Sequence, residues 1–187
     1  MKNCEALVIG GSAGSLDVLL KVLPNLDTAI KFPIFIVIHR KNGADSLLPQ
    51  LLSGRTRMIV KEAEEKEELL AGVIYIAPSD YHLLIERDHT LSLDYSEKIN
   101  YSRPAIDVTF QTAAEVYKDK LACLLLSGSN ADGVNGLKTV KMWGGEALIQ
   151  SPESAQVAYM PEQAKKLVEI DYSLDIESMA EFINLLS

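Results

Sequence analysis

Apolar residues along the chain fall into runs and stripes that alternate from start to end. Residues 6–9 form a short unbroken apolar run, the pattern of a strand covered on both faces. Leu16, Leu19, Leu20 and Leu23 then recur at i, i+3, i+4 and i+7, one face of an amphipathic helix that Pro24 helps to end. Residues 32–38 are a second apolar run, rich in β-branched and aromatic side chains, and stop at His39-Arg40-Lys41-Asn42-Gly43. Residues 46–52 read as a short helix and 57–61 as a third strand. From Gly72 the pattern predicts a β-meander over 73–77, 83–87 and 91–93, with a turn at Asp88-His89. A helix follows through Phe110, Ala113, Ala114 and Tyr117, then a strand over 121–126. The next helix, through Leu137, Val140, Met142 and Trp143, ends at Gly144-Gly145. Residues 147–150 predict a strand, 152–168 two short helices broken at Pro161, and 178–186 a final amphipathic helix.

Strands separated by helices imply the α/β class: a doubly wound, mostly parallel sheet with right-handed crossovers, here with a small antiparallel β-meander insert. The length, 187 residues, suits one domain over 1–187 with a full core. In such folds sites form beyond the carboxyl ends of the strands. Ser12, His39 and Asp132 each fall at or just after such an end.

Composition narrows the partners. A formal net charge of −8 argues against nucleic acid, whose phosphates call for clustered Lys and Arg. Lys138, Lys141, Lys165 and Lys166 read as solvated helix faces, and the charge run 62–68 as a solvated loop. No apolar stretch is long enough to span a membrane, and Glu5 interrupts what would be the core of a signal peptide, so the expected location is the cytoplasm without membrane insertion. Cys4 and Cys123, each in an apolar strand context, are expected as reduced, buried thiols.

Candidate chemistry begins at the first strand-to-helix corner. Gly10-Gly11-Ser12-Ala13-Gly14 spells G-x-S-x-G, in which small residues allow a sharp turn that leaves a serine hydroxyl exposed. Amides at the start of the following helix lack intrahelical partners and can hold an oxyanion. A turn that only packs helix on strand, or cradles a phosphate, fits the same residues. It is no Walker loop, since Leu16-Asp17 stand where Lys and Ser/Thr are needed, and Ser12 occupies the second glycine of a dinucleotide fingerprint, which weakens that reading.

Three histidines bound the choice of a base. His89 sits in a polar turn and reads as solvated; His82, after Pro78-Ser79-Asp80-Tyr81, reads as a structural hydrogen-bonding residue; His39 is the best placed. Ser12 as nucleophile, His39 as base and Asp132 as the orienting carboxylate would make a Ser-His-Asp triad. Asp132 also fits the N-cap of the helix that follows it. Neither H-E-x-x-H nor closely spaced Cys/His ligands occur, so no metal and no cofactor are expected.

Taken together, six segments in order resemble the catalytic domain of chemotaxis protein-glutamate methylesterases of the CheB type: Ile9-Gly10-Gly11-Ser12-Ala13-Gly14, Ile38-His39, Tyr75-Ile76-Ala77-Pro78-Ser79-Asp80-Tyr81-His82, Arg103-Pro104-Ala105-Ile106-Asp107, Leu126-Ser127-Gly128 through Asp132-Gly133, and Met160-Pro161. The resemblance implies hydrolysis of glutamate methyl esters on the cytoplasmic helices of chemoreceptors, giving glutamate and methanol, with glutamine deamidation as a second activity. By position it puts the nucleophile on Ser12, the base on His39 and the acid on Asp132. Backbone N–H groups of Ala13, Gly14 and Ser129 are the oxyanion-hole candidates. Two departures stand out: Ser12-Ala13-Gly14-Ser15 replaces Ser-Thr-Gly-Gly, and Ser129-Asn130-Ala131 replaces Met-Gly-Asn. Family members usually carry an N-terminal receiver domain, whereas here the first strand begins at once, so the chain is read as a catalytic domain without one. The rival reading is a catalytically weak receptor- or partner-binding module of the same fold.

Overall fold

The computed structural model describes residues 4–39 and 47–187. Nine strands are described: β1 (Ala6–Gly11), β2 (Ile34–Ile38), β3 (Ile59–Glu62), β4 (Val73–Ile76), β5 (His82–Ile85), β6 (Leu91–Asp94), β7 (Leu121–Leu125), β8 (Glu146–Gln150) and β9 (Tyr172–Leu174). The helices are α1 (Ser15–Val22), α2 (Leu48–Ser53), α3 (Ile106–Tyr117), α4 (Val134–Met142), α5 (Tyr159–Leu167) and α6 (Ile176–Leu185). Seven strands form one sheet in the order β3-β4-β2-β1-β7-β8-β9, every pair parallel, while β5 and β6 pair antiparallel by themselves.

Alternation along each strand sorts the core into two layers. Ala6 and Val8 of β1, with Phe35 and Val37 of β2, pack under α3, α4, α5 and the β5–β6 hairpin; Leu7 and Ile9, with Ile34, Ile36 and Ile38, pack under α1, α2 and α6. Both faces are covered, which is why these strands read as unbroken apolar runs rather than alternating ones. Each fully buried Leu, Ile or Phe contributes roughly 1.5–3 kcal/mol.

Two sequence expectations change. Residues 73–77 were expected to open the meander, yet β4 lies inside the main sheet between β3 and β2, so the antiparallel insert is a two-stranded hairpin. All four β4 residues are buried, and a strand covered on both faces belongs in the sheet, not on a solvated insert. Pro161 does not break a helix: it is the third residue of α5, where the missing N–H costs no intrahelical bond. The break lies earlier, after a 3-10 turn at Pro152–Ser154. β9 had no expectation at all; only Leu174 of its three residues is buried, so it leaves no apolar run to read. Residues 40–43, and residue 46 of the expected second helix, lie outside the described residues.

The charge run 62–68 is exposed over much of its length, and Lys61 pairs with Glu67 (2.6 Å). It also runs beside the hairpin, where Lys66 N–H donates to the Leu91 carbonyl and Leu91 N–H to that of Glu67. Cys123 is buried and Cys4 partly so, both free. Burial pushes the Cys123 thiol well up and that of Cys4 up to about 11, so both are protonated at neutral pH.

Close approach of α3 to β1 depends on one glycine. A Cβ at Gly10 would fall 2.3 Å from Ile106 Cγ2 and 3.2 Å from Phe110 Cζ, both fully buried side chains. Gly10→Ala is therefore expected to destabilise the fold by about 2–3 kcal/mol, read as a lower urea midpoint at unchanged slope.

Candidate active site

The sheet brings the sequence candidates to one rim. Parallel register pairs Gly10 with Val37 and Gly11 with Ile38, and His39 N–H donates to the Gly11 carbonyl (3.1 Å), so Ser12 and His39 are next in step on neighbouring strands. Such strands lie about 4.8 Å apart. On the other side Ser12 N–H donates to the Ser127 carbonyl (2.9 Å), just beyond the last β1–β7 ladder pair, Gly10 with Leu125. The chain goes from β1 to one side of the sheet and returns to the other through β7, so these three strand ends surround the switch point of the topology.

At the corner itself the Ser12 carbonyl accepts from Ser15 N–H (3.1 Å) and Ser15 Oγ (2.6 Å), and Gly14 turns the chain with φ 83° before α1 begins. Ser127, buried, donates its hydroxyl to the Ala13 carbonyl (2.7 Å) and accepts from Val157 N–H (2.9 Å), clamping the loop. With their carbonyls and flanks held, the N–H groups of Ala13 and Gly14 keep no backbone partner among the described residues. The same is true of Ser129 N–H, on the exposed loop after Gly128. Gly128 packs so tightly that a Cβ there would lie 3.1 Å from Ser12 Cβ. All three oxyanion candidates thus lie in the two loops that meet at Ser12.

His39 and Asp132 meet directly. His39 Nε2 is 2.7 Å from Asp132 Oδ2, with the imidazole 11% exposed and the carboxylate fully buried. Asp132 Oδ2 also accepts from Ile106 N–H (2.7 Å), and its Oδ1 accepts from Asn100 Nδ2 (3.0 Å), Asp107 N–H (3.1 Å) and Gly133 N–H (3.0 Å). Burial alone would push this carboxyl up; the bonds from His39, Ile106 and Asn100 outweigh it and hold the group below the ordinary carboxylate range. A carboxylate only accepts, so His39 Nε2 carries a proton toward it, and the neutral form of the ring has its lone pair on Nδ1. No hydrogen bond joins Ser12 Oγ to His39 among the described contacts. His39 and Asp132 are thus joined, and Ser12 stands on the adjoining strand end with its hydroxyl bonded to no other described residue.

The expected capping role of Asp132 is met on a different helix. The residue before α4 is Gly133, with no side-chain cap, whereas Asp132 binds the first two N–H groups of α3. Asp107 of α3 reciprocates by accepting Gly136 N–H of α4 (2.7 Å). Asp132, on the loop before α4, and Asp107, in the first turn of α3, thus each accept from the start of the other's helix, which locks Asp132 in place. His82 is structural as expected: buried, it accepts Ala105 N–H at Nδ1 (3.1 Å) and meets the Glu97 carbonyl at Nε2 (3.0 Å). His89 sits at positive φ in the exposed hairpin turn. Sequence reasoning assigned no role to Asn100, Asp107 or Ser127. Asp107 and Ser127 lay within matched segments, but what they touch is set by the packing of α3 on α4 and of β7 on β1.

Comparison with known proteins gives a consistent assignment. The family model described as CheB methylesterase matches residues 7–183. A Leptospira interrogans protein is 47% identical over 184 residues, 98% of this chain and 95% of that protein. The protein-glutamate methylesterase/protein-glutamine glutaminase of Thermotoga maritima is 36% identical over 180 residues, 95% of this chain but 52% of that protein. The crystal structure of the Thermotoga maritima CheB methylesterase catalytic domain superposes with a TM-score of 0.94 at 35% identity, covering 98% of this chain and 99% of that one. The chain thus spans nearly the whole Leptospira relative and about half of the Thermotoga one.

Proposed function

This chain belongs to the CheB methylesterase family, and from that premise we propose that it hydrolyses glutamate methyl esters on the cytoplasmic helices of chemoreceptors through Ser12, His39 and Asp132, with glutamine deamidation as a second reaction of the same serine. His39 Nδ1 takes the proton from Ser12 Oγ as that oxygen attacks the γ-carbonyl. The oxygen of the tetrahedral intermediate draws on the N–H groups of Ala13, Gly14 and Ser129. His39 returns the proton to the departing methoxide, which leaves as methanol. A water, deprotonated by the same nitrogen, then attacks the glutamyl-Ser12 ester, and His39 returns that proton to Ser12 Oγ as the acyl–oxygen bond breaks and glutamate is freed. With glutamine the leaving group is ammonia. Asp132 stays ionised throughout and holds the imidazolium that forms at each half-reaction. Cytoplasmic placement goes with this reading, as does the finding that no described helix is long and apolar enough to cross a membrane.

The observation that carries the proposal is the 2.7 Å bond between His39 and Asp132 at the strand end adjoining Ser12. The test is release of labelled methanol from a methylated receptor fragment. Saturable release well above that of His39→Ala is expected; a rate equal to the variant's would leave only the binding-module reading.

A further inference from the structure

Two buried carboxylates lie together where Asp132 meets the imidazole. Asp107 is 4% exposed and Asp132 fully buried. Asp107 Oδ1 accepts Gly136 N–H, and the donor to its Oδ2 is Asn100 Nδ2 at 3.0 Å. The same Nδ2 lies 3.0 Å from Asp132 Oδ1. One carboxamide therefore spends its two hydrogens on two different buried carboxylates. Its orientation follows from chemistry, since the amide oxygen turned inward would face two carboxylate oxygens. Burial, and then the Asp132 charge, push the Asp107 carboxyl up, which marks the repulsion that the shared donor offsets.

Asn100 reaches this pocket from a tight turn. Ile99 and Ser102 exchange both backbone hydrogen bonds (3.2 and 2.9 Å), and the two central residues, Asn100 and Tyr101, have φ 52° and 63°. Two consecutive positive φ values are the type I′ pattern, in which asparagine is among the favoured residues. Tyr101 at the tip is 98% exposed. The element that touches Asp132 is thus a surface turn, not part of the buried frame.

Resting on the serine-hydrolase reading above, we propose that Asn100 is a positioning residue: by bridging Asp107 and Asp132 it keeps the Asp132 carboxylate aimed at His39. Without the bridge the two carboxylates no longer share a donor, and Asp132 Oδ1 keeps only the two backbone N–H groups of Asp107 and Gly133. His39 then loses the partner geometry that presents Nδ1 to Ser12.

Asn100→Gly and Asn100→Asp test this in the full chain, because both residues accept positive φ and so keep the turn while removing the shared donor. The readouts are the rate at which a fluorophosphonate probe labels Ser12, the split between kcat and KM for methanol release, and the melting temperature. Labelling is expected to fall about tenfold or more for Asn100→Gly, and further for Asn100→Asp, which adds a third carboxylate. The kcat should fall in step with KM unchanged, and the melting temperature should drop by a few degrees as the repulsion between Asp107 and Asp132 goes unoffset. In an Asp107→Asn background the effect of Asn100→Gly should shrink, because the repulsion it screened has gone. Unchanged labelling in both single variants overturns the proposal, and so does an effect undiminished beside Asp107→Asn, which would mark a role in the turn alone. A wild-type chain that labels readily but releases no methanol would count against the substrate and not against this inference; one that does neither removes both.

Discussion

Ser12→Ala is expected to lower methanol release by about 10⁵-fold or more while leaving the melting temperature almost where it was. The first half follows from the chemistry of the corner. Ser12 is the hydroxyl next in step with His39 across β1 and β2. Neighbouring hydroxyls cannot replace it: Ser15 Oγ is committed to the Ser12 carbonyl and Ser127 Oγ to that of Ala13. The second half follows from the state of the side chain. Ser12 is half-buried and its hydroxyl bonds no other described residue, so its removal strands no partner among them, and a change within about 0.5 kcal/mol is expected. The same assay and a thermal melt check both. Retained turnover would move the nucleophile elsewhere, and a large loss of stability would mean that the hydroxyl has a structural task.

The second large effect is expected at Asp132. Its two oxygens accept five hydrogen bonds, two at Oδ2 and three at Oδ1. An asparagine has to place its NH2 at one of the two. Placed at Oδ1 it confronts the N–H groups of Asp107 and Gly133 and the amide of Asn100. Placed at Oδ2 it confronts Ile106 N–H and donates to His39 Nε2, which moves the imidazole proton to Nδ1. A protonated Nδ1 cannot accept from Ser12. Asp132→Asn is therefore expected to lower kcat by about 10⁴-fold, the scale set by the corresponding change in a serine protease triad. It should also destabilise by about 2–4 kcal/mol through the orphaned donors at the start of α3.

Acid sensitivity separates the two roles of that carboxylate. The native Asp132 carboxyl lies below its unfolded range, so its contribution to stability is present above the ordinary carboxylate pKa and is lost as pH falls through the depressed native value. The variant has no such charge to lose. Urea midpoints across the acid range should fall steeply for the wild type and the gap between the two should close. A gap that stays constant with pH would mean that the charge of Asp132 does not contribute.

Much of this molecule is written locally. Residues 6–9, 32–38 and 121–126 are apolar because β1, β2 and β7 are covered on both faces, so their short length and unbroken apolar character mark them as strands of a parallel sheet. The corner at Ser12 is equally legible, since a glycine at positive φ and a helix start are short-range matters. Position on the sheet is not: β4 and a strand of a hairpin insert look alike until the crossovers place one beside β2. A helix break at residues 155–158 and a proline inside a first helical turn differ only by where the hydrogen bonds begin.

For the site, the residue types and the strand ends that bear them come from the linear order: a serine after the first strand, a histidine after the second, an aspartate after the seventh. Which helix Asp132 caps, which nitrogen of His39 it binds, and that Asn100 joins it to Asp107 come from the crossing of α3 over α4. Side chains 93 and 32 positions away carry no periodicity toward Asp132, and only folding gives them a common address.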